Sequence, residues 1–463
     1  MLCSALLLSE EELPVIGDAS SSVISIASEY NLGRLYIAQL RRTLPEYIDP
    51  ITQDYAEHLV YRLSEYSELT DRRLEIALID DKSVNAFAAP GGIVGINAGL
   101  IFHAETEGQL ASVISHELAH LSQRHFARNV LRGRDTNLAS SLVMVSAIAL
   151  AIVTNNPTAM MTGPAALAQQ QLRYSRIFER EADRFGFNNL IAAGYDPSAM
   201  GQMFENMARI RKLAGDNPPE FLLTHPVTSS RVSDALNAAD QIEFSGGKKN
   251  TINFEFVKGR LKARYAPSSP QATIRYFEQL SKENPSNENK YAYLTALQGI
   301  GDFKKALMLV DELLSKYPKN LILNISKSEI YLLAQELDKA KIQIEQVLKI
   351  SPGNYPASII KSNILSAQNK TIQAEEIVRE LLISKNNDPH LWMLLSEIQR
   401  SGKNILGYHL SRGEYYLLLG DLENALNQFQ FALRLSSNSF QTSETIMTKI
   451  KYAQDRLGQK RGL

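Results

Sequence analysis

Apolar positions along the first half of the chain switch between two periods. Leu74–Ile79 (LEIALI) is a short continuous apolar run that ends in Asp80-Asp81, the pattern of a buried strand. In the following NAFAAPGGIVGINAGLI, Pro90-Gly91-Gly92 punctuates two short β-compatible stretches. Helical spacing takes over from Gly108: Val113, Ile114, Leu118, Leu121 and Phe126 recur at intervals that place them on a helix face rather than a strand face. Gly194 followed by Asp196-Pro197 marks a helix stop and a new start. One stretch is apolar without a period. Leu138–Val153 (LASSLVMVSAIALAIV) runs 16 residues without a charge. As a helix it would be ~24 Å long, short of the ~30 Å hydrocarbon core, which predicts a segment buried against protein or lying in an interface, not a span.

Ser245–Asn250 (SGGKKN) has linker composition and sets a domain boundary. Beyond it the chain reads as helix pairs with a fixed repeat. Ala306, Ala340 and Ala374 are 34 residues apart, and so are Pro318 and Pro352, each closing a second helix. A small residue returning at helix–helix contacts with this period resembles tetratricopeptide repeats. Ala425 follows Ala374 by 51 residues, one and a half periods, which predicts an irregular array near Lys385 to Gly407. Such arrays present a concave face to peptides or proteins. The expected organisation is an N-terminal segment over 1–19, an α+β, mainly helical domain with a small β-sheet over 20–243, and an all-α repeat array over 250–463.

Composition narrows the class of function. The 463 residues carry 49 Lys+Arg against 50 Asp+Glu, so the whole molecule gives no electrostatic reason to bind nucleic acid. With 44% apolar residues it can bury substantial cores. The single cysteine, Cys3, excludes an intrachain disulfide framework and a cysteine-built zinc finger. The opening MLCSALLLSEEELP has an apolar stretch but no basic flank and no clear cleavage site. It reads either as a frayed terminus or as the end of a shortened export signal.

The chemistry concentrates in His116-Glu117-Leu118-Ala119-His120. On a helix, positions i and i+4 lie ~40° apart around the axis and one turn along it, so both imidazoles can share one ion at Zn–N distances of ~2.0–2.1 Å. Glu117 is offset from both and placed to hold water; zinc pulls the pKa of that water towards ~7, and a carboxylate can take its proton during attack on a carbonyl. His125, ~140° further round if the helix continues, reads as a solvated or capping residue. A hydrolytic zinc needs a third protein ligand. In YSRIFEREADRFG, Tyr174 to Gly186, helical placement puts Glu179 and Asp183 one turn apart on one face. Glu179 can ligate and Asp183 can accept the free ring N–H of a liganding histidine; by spacing alone Glu181 competes with Glu179.

HELAH, the Glu-x-x-Ala-Asp of Glu179 to Asp183 and the preceding NAFAAPGG together resemble the HtpX-type zinc metallopeptidases of the gluzincin kind. The resemblance implies a zinc endopeptidase with one Zn²⁺ per chain, and it selects Glu179 over Glu181 as third ligand. The order of peptidase before repeat array, with Thr224-His225-Pro226 and Arg231 in THPVTSSR, is similar to periplasmic family members that assist outer-membrane β-barrel assembly. It implies exported protein substrates, contact with assembly components and a peripheral membrane contact through Leu138–Val153. It also implies that His225 can take the fourth zinc position and hold the enzyme latent; the local alternative is a histidine that caps the helix starting near Ser229. Arg231 stabilises an oxyanion or pairs with an acidic residue. Gly92, Ile93, Val94 and Gly95 form the strand edge that pairs with an extended substrate, or an ordinary hairpin. An interaction protein with chaperone-like binding and a closed site is the alternative function.

Overall fold

The computed structural model describes residues 24–132, 176–214, 220–244, 246–248, 250–266 and 269–461. The 1–19 segment, Leu138–Val153 and Tyr174 lie outside the described residues. Among those described, no helix is long and apolar enough to cross a membrane.

The apolar run at Leu74 becomes β1 (Glu75–Ile79), and the two stretches around Pro90 become β2 (Ala86–Ala89) and β3 (Ile93–Asn97). Gly91 and Gly92 make the turn at φ of 75° and 77°, a left-handed conformation that costs glycine nothing. A Cβ on Gly92 would also stand 2.4 Å from the Arg73 carbonyl oxygen. The sheet order is β1-β3-β2, with β1 parallel and β2 antiparallel to β3. This corrects the expectation for Gly92, Ile93, Val94 and Gly95. β3 is the central strand, buried throughout, with its ladder groups taken on one flank by the hairpin and on the other by β1. The two edges are β1, bridged at Ile79 by Glu46, and β2. Asn97 N–H donates to the Asn85 carbonyl at 3.0 Å, so by alternation Ala86 and Ala88 turn their backbone groups outward.

Helices α1 (Ile26–Thr43), α2 (Pro50–Ser64), α3 (Ala98–His103) and α4 (Glu107–Ser122) surround the sheet, followed by α5 (His125–Arg132), α6 (Arg176–Ala192), α7 (Ser198–Ala214), α8 (Glu220–Thr224), α9 (Ser229–Asp240) and α10 (Ile252–Arg264). α4 is the axis of this half. Thr106 caps it by accepting from Gln109 N–H at 3.1 Å, and it is buried from Glu107 to His120. Although it carries Glu107, Gln109, His116, Glu117 and His120, α4 is enclosed on all sides, packed against β2, α2, α6 and α7. Gly186 lets α6 close on it: a Cβ there would lie 3.0 Å from the His116 backbone. α4 ends at Ser122, and Arg124, at φ 49°, reverses the chain before α5.

The buried Glu107 ties this half to the start of the repeat array. Its carboxylate accepts from Arg62 at 2.9 Å and from Thr251 N–H at 2.7 Å, while its own N–H donates to Asn250 at 2.8 Å. In the array, helices start at Leu321, Tyr355, Pro389 and Leu422, and between them at Phe303, Leu337, Thr371, Ile405 and Phe440. The spacing therefore stays near 34 residues throughout, and the irregularity expected near Lys385 to Gly407 is absent from the backbone. What changes is the small residue. Ala306, Ala340, Ala374 and Ala425 are each fully buried three positions into a helix, but the helix starting at Ile405 carries Tyr408 there and buries Gly407 instead.

The array curls back onto the N-terminal half. Arg260 on α10 grips Asp49 at 2.7 and 3.0 Å, Lys385 pairs with Glu57, and His390 Nε2 lies 2.8 Å from Glu46. Consequently one apolar core runs from Ile51 to Ile364. The surface of the array that carries Lys385 and His390 is thus occupied in part by the chain's own residues 46–57.

Candidate metal centre

Three elements deliver one compact cluster. His116 and His120 come from one face of α4, Glu179 from the first turns of α6, and His225 from the segment after α8. One ligand atom from each lies within 4.8 Å of every other, and all four residues are buried. The individual separations are tighter. His120 Nε2 is 3.1 Å from His116 Nε2, Glu179 Oε2 is 3.6 Å from His116 Nε2, and Glu179 Oε1 is 3.5 Å from His120 Nε2. His225 Nδ1 stands 2.9 Å from Glu179 Oε1 and 3.5 Å from His116 Nε2. Ligand atoms around a tetrahedral zinc with ~2.0–2.1 Å bonds are about 3.3 Å apart, and these separations scatter around that length, with both Glu179 oxygens facing the histidines. Three imidazole nitrogens and a carboxylate oxygen are also a donor set that suits zinc. His225 presents Nδ1 to the cluster and turns Nε2 towards Glu117, at 3.8 Å from Oε1. Thr228, not His225, caps α9 by accepting from Arg231 N–H.

Glu117 is completely buried, and neither carboxylate oxygen closes a hydrogen bond with a protein group. Leaving a buried carboxylate unsatisfied costs several kcal/mol unless an ion or water answers it. Burial pushes its pKa up, His225 and His116 pull it down, and the outward N–H of Ala88 on β2 lies against it. The other carboxylate behaves oppositely. Burial would raise Glu179, but His225 and His116 hold it well below the usual carboxylate range. Burial would likewise lower His116, but the neighbouring Asp183 and Glu179 carboxylates lift it to about 9. His120 falls well below its ordinary value through burial and the neighbouring His116.

A second ring of contacts holds the first. Asp183 Oδ1 is 3.0 Å from His116 Nδ1, which leaves Nε2 facing the cluster. Arg231 forks onto Asp183 at 2.7 Å through Nε and Nη2, reaches Glu179 Oε2 at 3.0 Å, and donates to the Pro226 carbonyl at 2.9 Å. Its guanidinium is thus engaged in ion pairs and is not presented to an open cleft. Glu181 points away from the cluster and pairs with Arg128 at 2.9 and 3.0 Å.

Three residues escaped the sequence reading. His125 is not solvated: it is fully buried, with Nδ1 2.8 Å from His120 Nδ1. The ~140° offset holds only for an unbroken helix, and the turn at Arg124 returns the ring beneath His120. Ala88 acts through its backbone, which no side-chain pattern reports. Gly186 had a signal, since it shares a helix face with Glu179, Ala182 and Asp183. Beside the cluster, Ala88, Gly91, His120 and Phe126 line a cleft of only ≈ 60 Å³. The larger cavities, ≈ 520 and ≈ 630 Å³, lie at residues 46–49, between the two halves of the chain.

The family profile described as Peptidase family M48 matches residues 50–239. A Vibrio cholerae homologue assigned to the β-barrel assembly-enhancing proteases is 31% identical over 431 residues, covering 92% of this chain and 88% of its own. The β-barrel assembly-enhancing protease of Escherichia coli K12 is 28% identical over 431 residues, covering 90% and 86%. The mitochondrial metalloendopeptidase OMA1 of Arabidopsis thaliana is 30% identical over 169 residues, 36% of this chain and 32% of that protein.

Proposed function

The chain belongs to peptidase family M48 as a zinc metalloendopeptidase, and on that premise we propose that it hydrolyses peptide bonds of exported or misassembled outer-membrane proteins, its repeat array recruiting either substrate or the barrel-assembly machinery. The observation that carries the catalytic half is the buried four-donor cluster beside the unsatisfied Glu117. The names of the relatives that match nearly end to end, β-barrel assembly-enhancing proteases, support a role connected with barrel assembly, and the periplasmic location belongs to the same proposal.

His116, His120 and Glu179 hold the zinc in this reading. Bound there, the ion lowers the pKa of water towards ~7 and polarises the scissile carbonyl. Glu117, buried and raised in pKa, takes the proton of the attacking water and later passes it to the departing amine. Asp183 accepts from His116 Nδ1 and fixes its tautomer. The outward backbone groups of Ala86 and Ala88 on β2 are the edge on which an extended substrate would lie across the cluster. The domains are then a peptidase over 20–243 and an array over 250–463, joined at Glu107.

A second reading, a chaperone-like interaction protein with a latent site, is favoured by one feature. His225 Nδ1 stands 2.9 Å from Glu179 Oε1 at the fourth corner, and the adjoining cleft is only ≈ 60 Å³. The two readings part in one experiment on zinc content and casein cleavage. Glu117→Gln is expected to keep one zinc per chain and lose about 10²–10⁴-fold in cleavage, the contribution of a general base. His225→Ala is expected to keep zinc and cleave at or above the wild-type rate. Normal cleavage by Glu117→Gln removes the general-base assignment, and slower cleavage by His225→Ala removes the latch.

A further inference from the structure

We propose that His125 is the positioning residue for His120, acting through a line of contacts that runs Arg128, Glu181, His125, His120. The inference rests on the reading of His120 as a zinc ligand. His120 and His125 meet nitrogen to nitrogen, Nδ1 to Nδ1, at 2.8 Å. Two lone pairs that close would repel, so one of the nitrogens carries the proton. His120 Nε2 is the atom that faces His116 and Glu179. If its lone pair is given to a metal, the proton of the neutral ring sits on Nδ1, and His120 donates while His125 Nδ1 accepts. The proton of His125 is then on Nε2, 3.4 Å from Glu181 Oε2. Glu181 is in turn forked by Arg128.

The receiving ring is held as a positioning group must be. His125 is fully buried, Phe178 stacks on it with centroids 4.5 Å apart and planes at 19°, and the Arg128 guanidinium lies 4.8 Å over the Phe178 ring. The two cluster histidines on α4 are therefore oriented differently: His116 Nδ1 lies 3.0 Å from a carboxylate oxygen, and His120 Nδ1 meets an imidazole whose far nitrogen lies 3.4 Å from one. Both arrangements fix the tautomer that leaves Nε2 free for the ion.

The test compares full-length wild type with His125→Leu, His125→Asn and Glu181→Gln. It reads zinc affinity by chelator competition and the visible absorption of the cobalt(II)-loaded protein. His125→Leu removes the acceptor and is expected to weaken zinc about 10–100-fold and shift the cobalt bands, as loss of such a partner does elsewhere. Asparagine can place an amide oxygen near the Nδ1 position, so His125→Asn is expected to restore most of the affinity. Unchanged affinity and spectrum in His125→Leu overturn the proposal. So does a loss that asparagine fails to restore, which would make the ring a packing element. If the leucine variant does not fold, Glu181→Gln tests the same line from its far end: weaker zinc is expected, and unaltered zinc contradicts it. A control separates the underlying reading: His120→Ala that keeps full zinc affinity removes the ligand assignment itself.

Discussion

At the scale of single residues, the cluster keeps opposite charges and a neutral ligand together in a buried site. In the metal-free protein His116 holds a proton up to about pH 9, because Asp183 and Glu179 favour its charged form against the pull of burial. His120, lowered well below its usual value, is neutral and ready to ligate. Below pH 9, zinc must displace the His116 proton, so apparent zinc affinity should strengthen about tenfold per pH unit from pH 7 to 9 and then level off. Titration calorimetry in buffers of different ionisation heat would show about one proton released at pH 7. Affinity flat across pH 7–9 would contradict this role of His116.

At the scale of elements, much of the site was legible because helical periodicity converts spacing into geometry. His116 with His120, and Glu179 with Asp183, are i, i+4 pairs on uninterrupted helices, α4 and α6, and periodicity places each pair on one face. The failures occur where the backbone leaves a regular element. His125 follows the turn at Arg124, and Ile93–Gly95 became part of a central strand, with Gly92 in the turn before it, because pairing partners cannot be read from an isolated apolar run. The corrected edge makes its own prediction. Ala88→Pro removes an outward N–H on an edge strand, a place where proline is tolerated. It should retain zinc while cleavage falls through a raised KM, with a lower kcat as well because the same N–H lies against Glu117. Wild-type KM in that variant would take β2 out of substrate binding.

On the scale of the whole molecule, the 34-residue period located the helices of the array but not what they enclose. Repeat spacing places the helices, whereas what packs against them depends on residues far away in sequence: Asp49, Glu57 and Glu46 meet Arg260, Lys385 and His390. Arg260 is buried against Asp49 and Glu329, which hold its pKa well above the ordinary value. Arg260→Met leaves those acids uncompensated and should cost about 3–5 kcal/mol of stability. Because a continuous core crosses from Ile51 to Ile364, calorimetry should show the N-terminal half and the first repeats melting in one transition that Arg260→Met shifts as a unit. Two separate transitions in the wild-type protein would mean that the halves are only loosely docked.

Every catalytic assignment depends on the ion itself, and X-ray absorption at the zinc edge of the purified full-length chain probes it directly. The predicted result is one zinc per chain bound by nitrogen and oxygen alone at ~2.0–2.2 Å, with three imidazole contributions that fall to two in His225→Ala. A chain that binds no zinc, or an imidazole count unchanged by loss of His116 or His120, would contradict it.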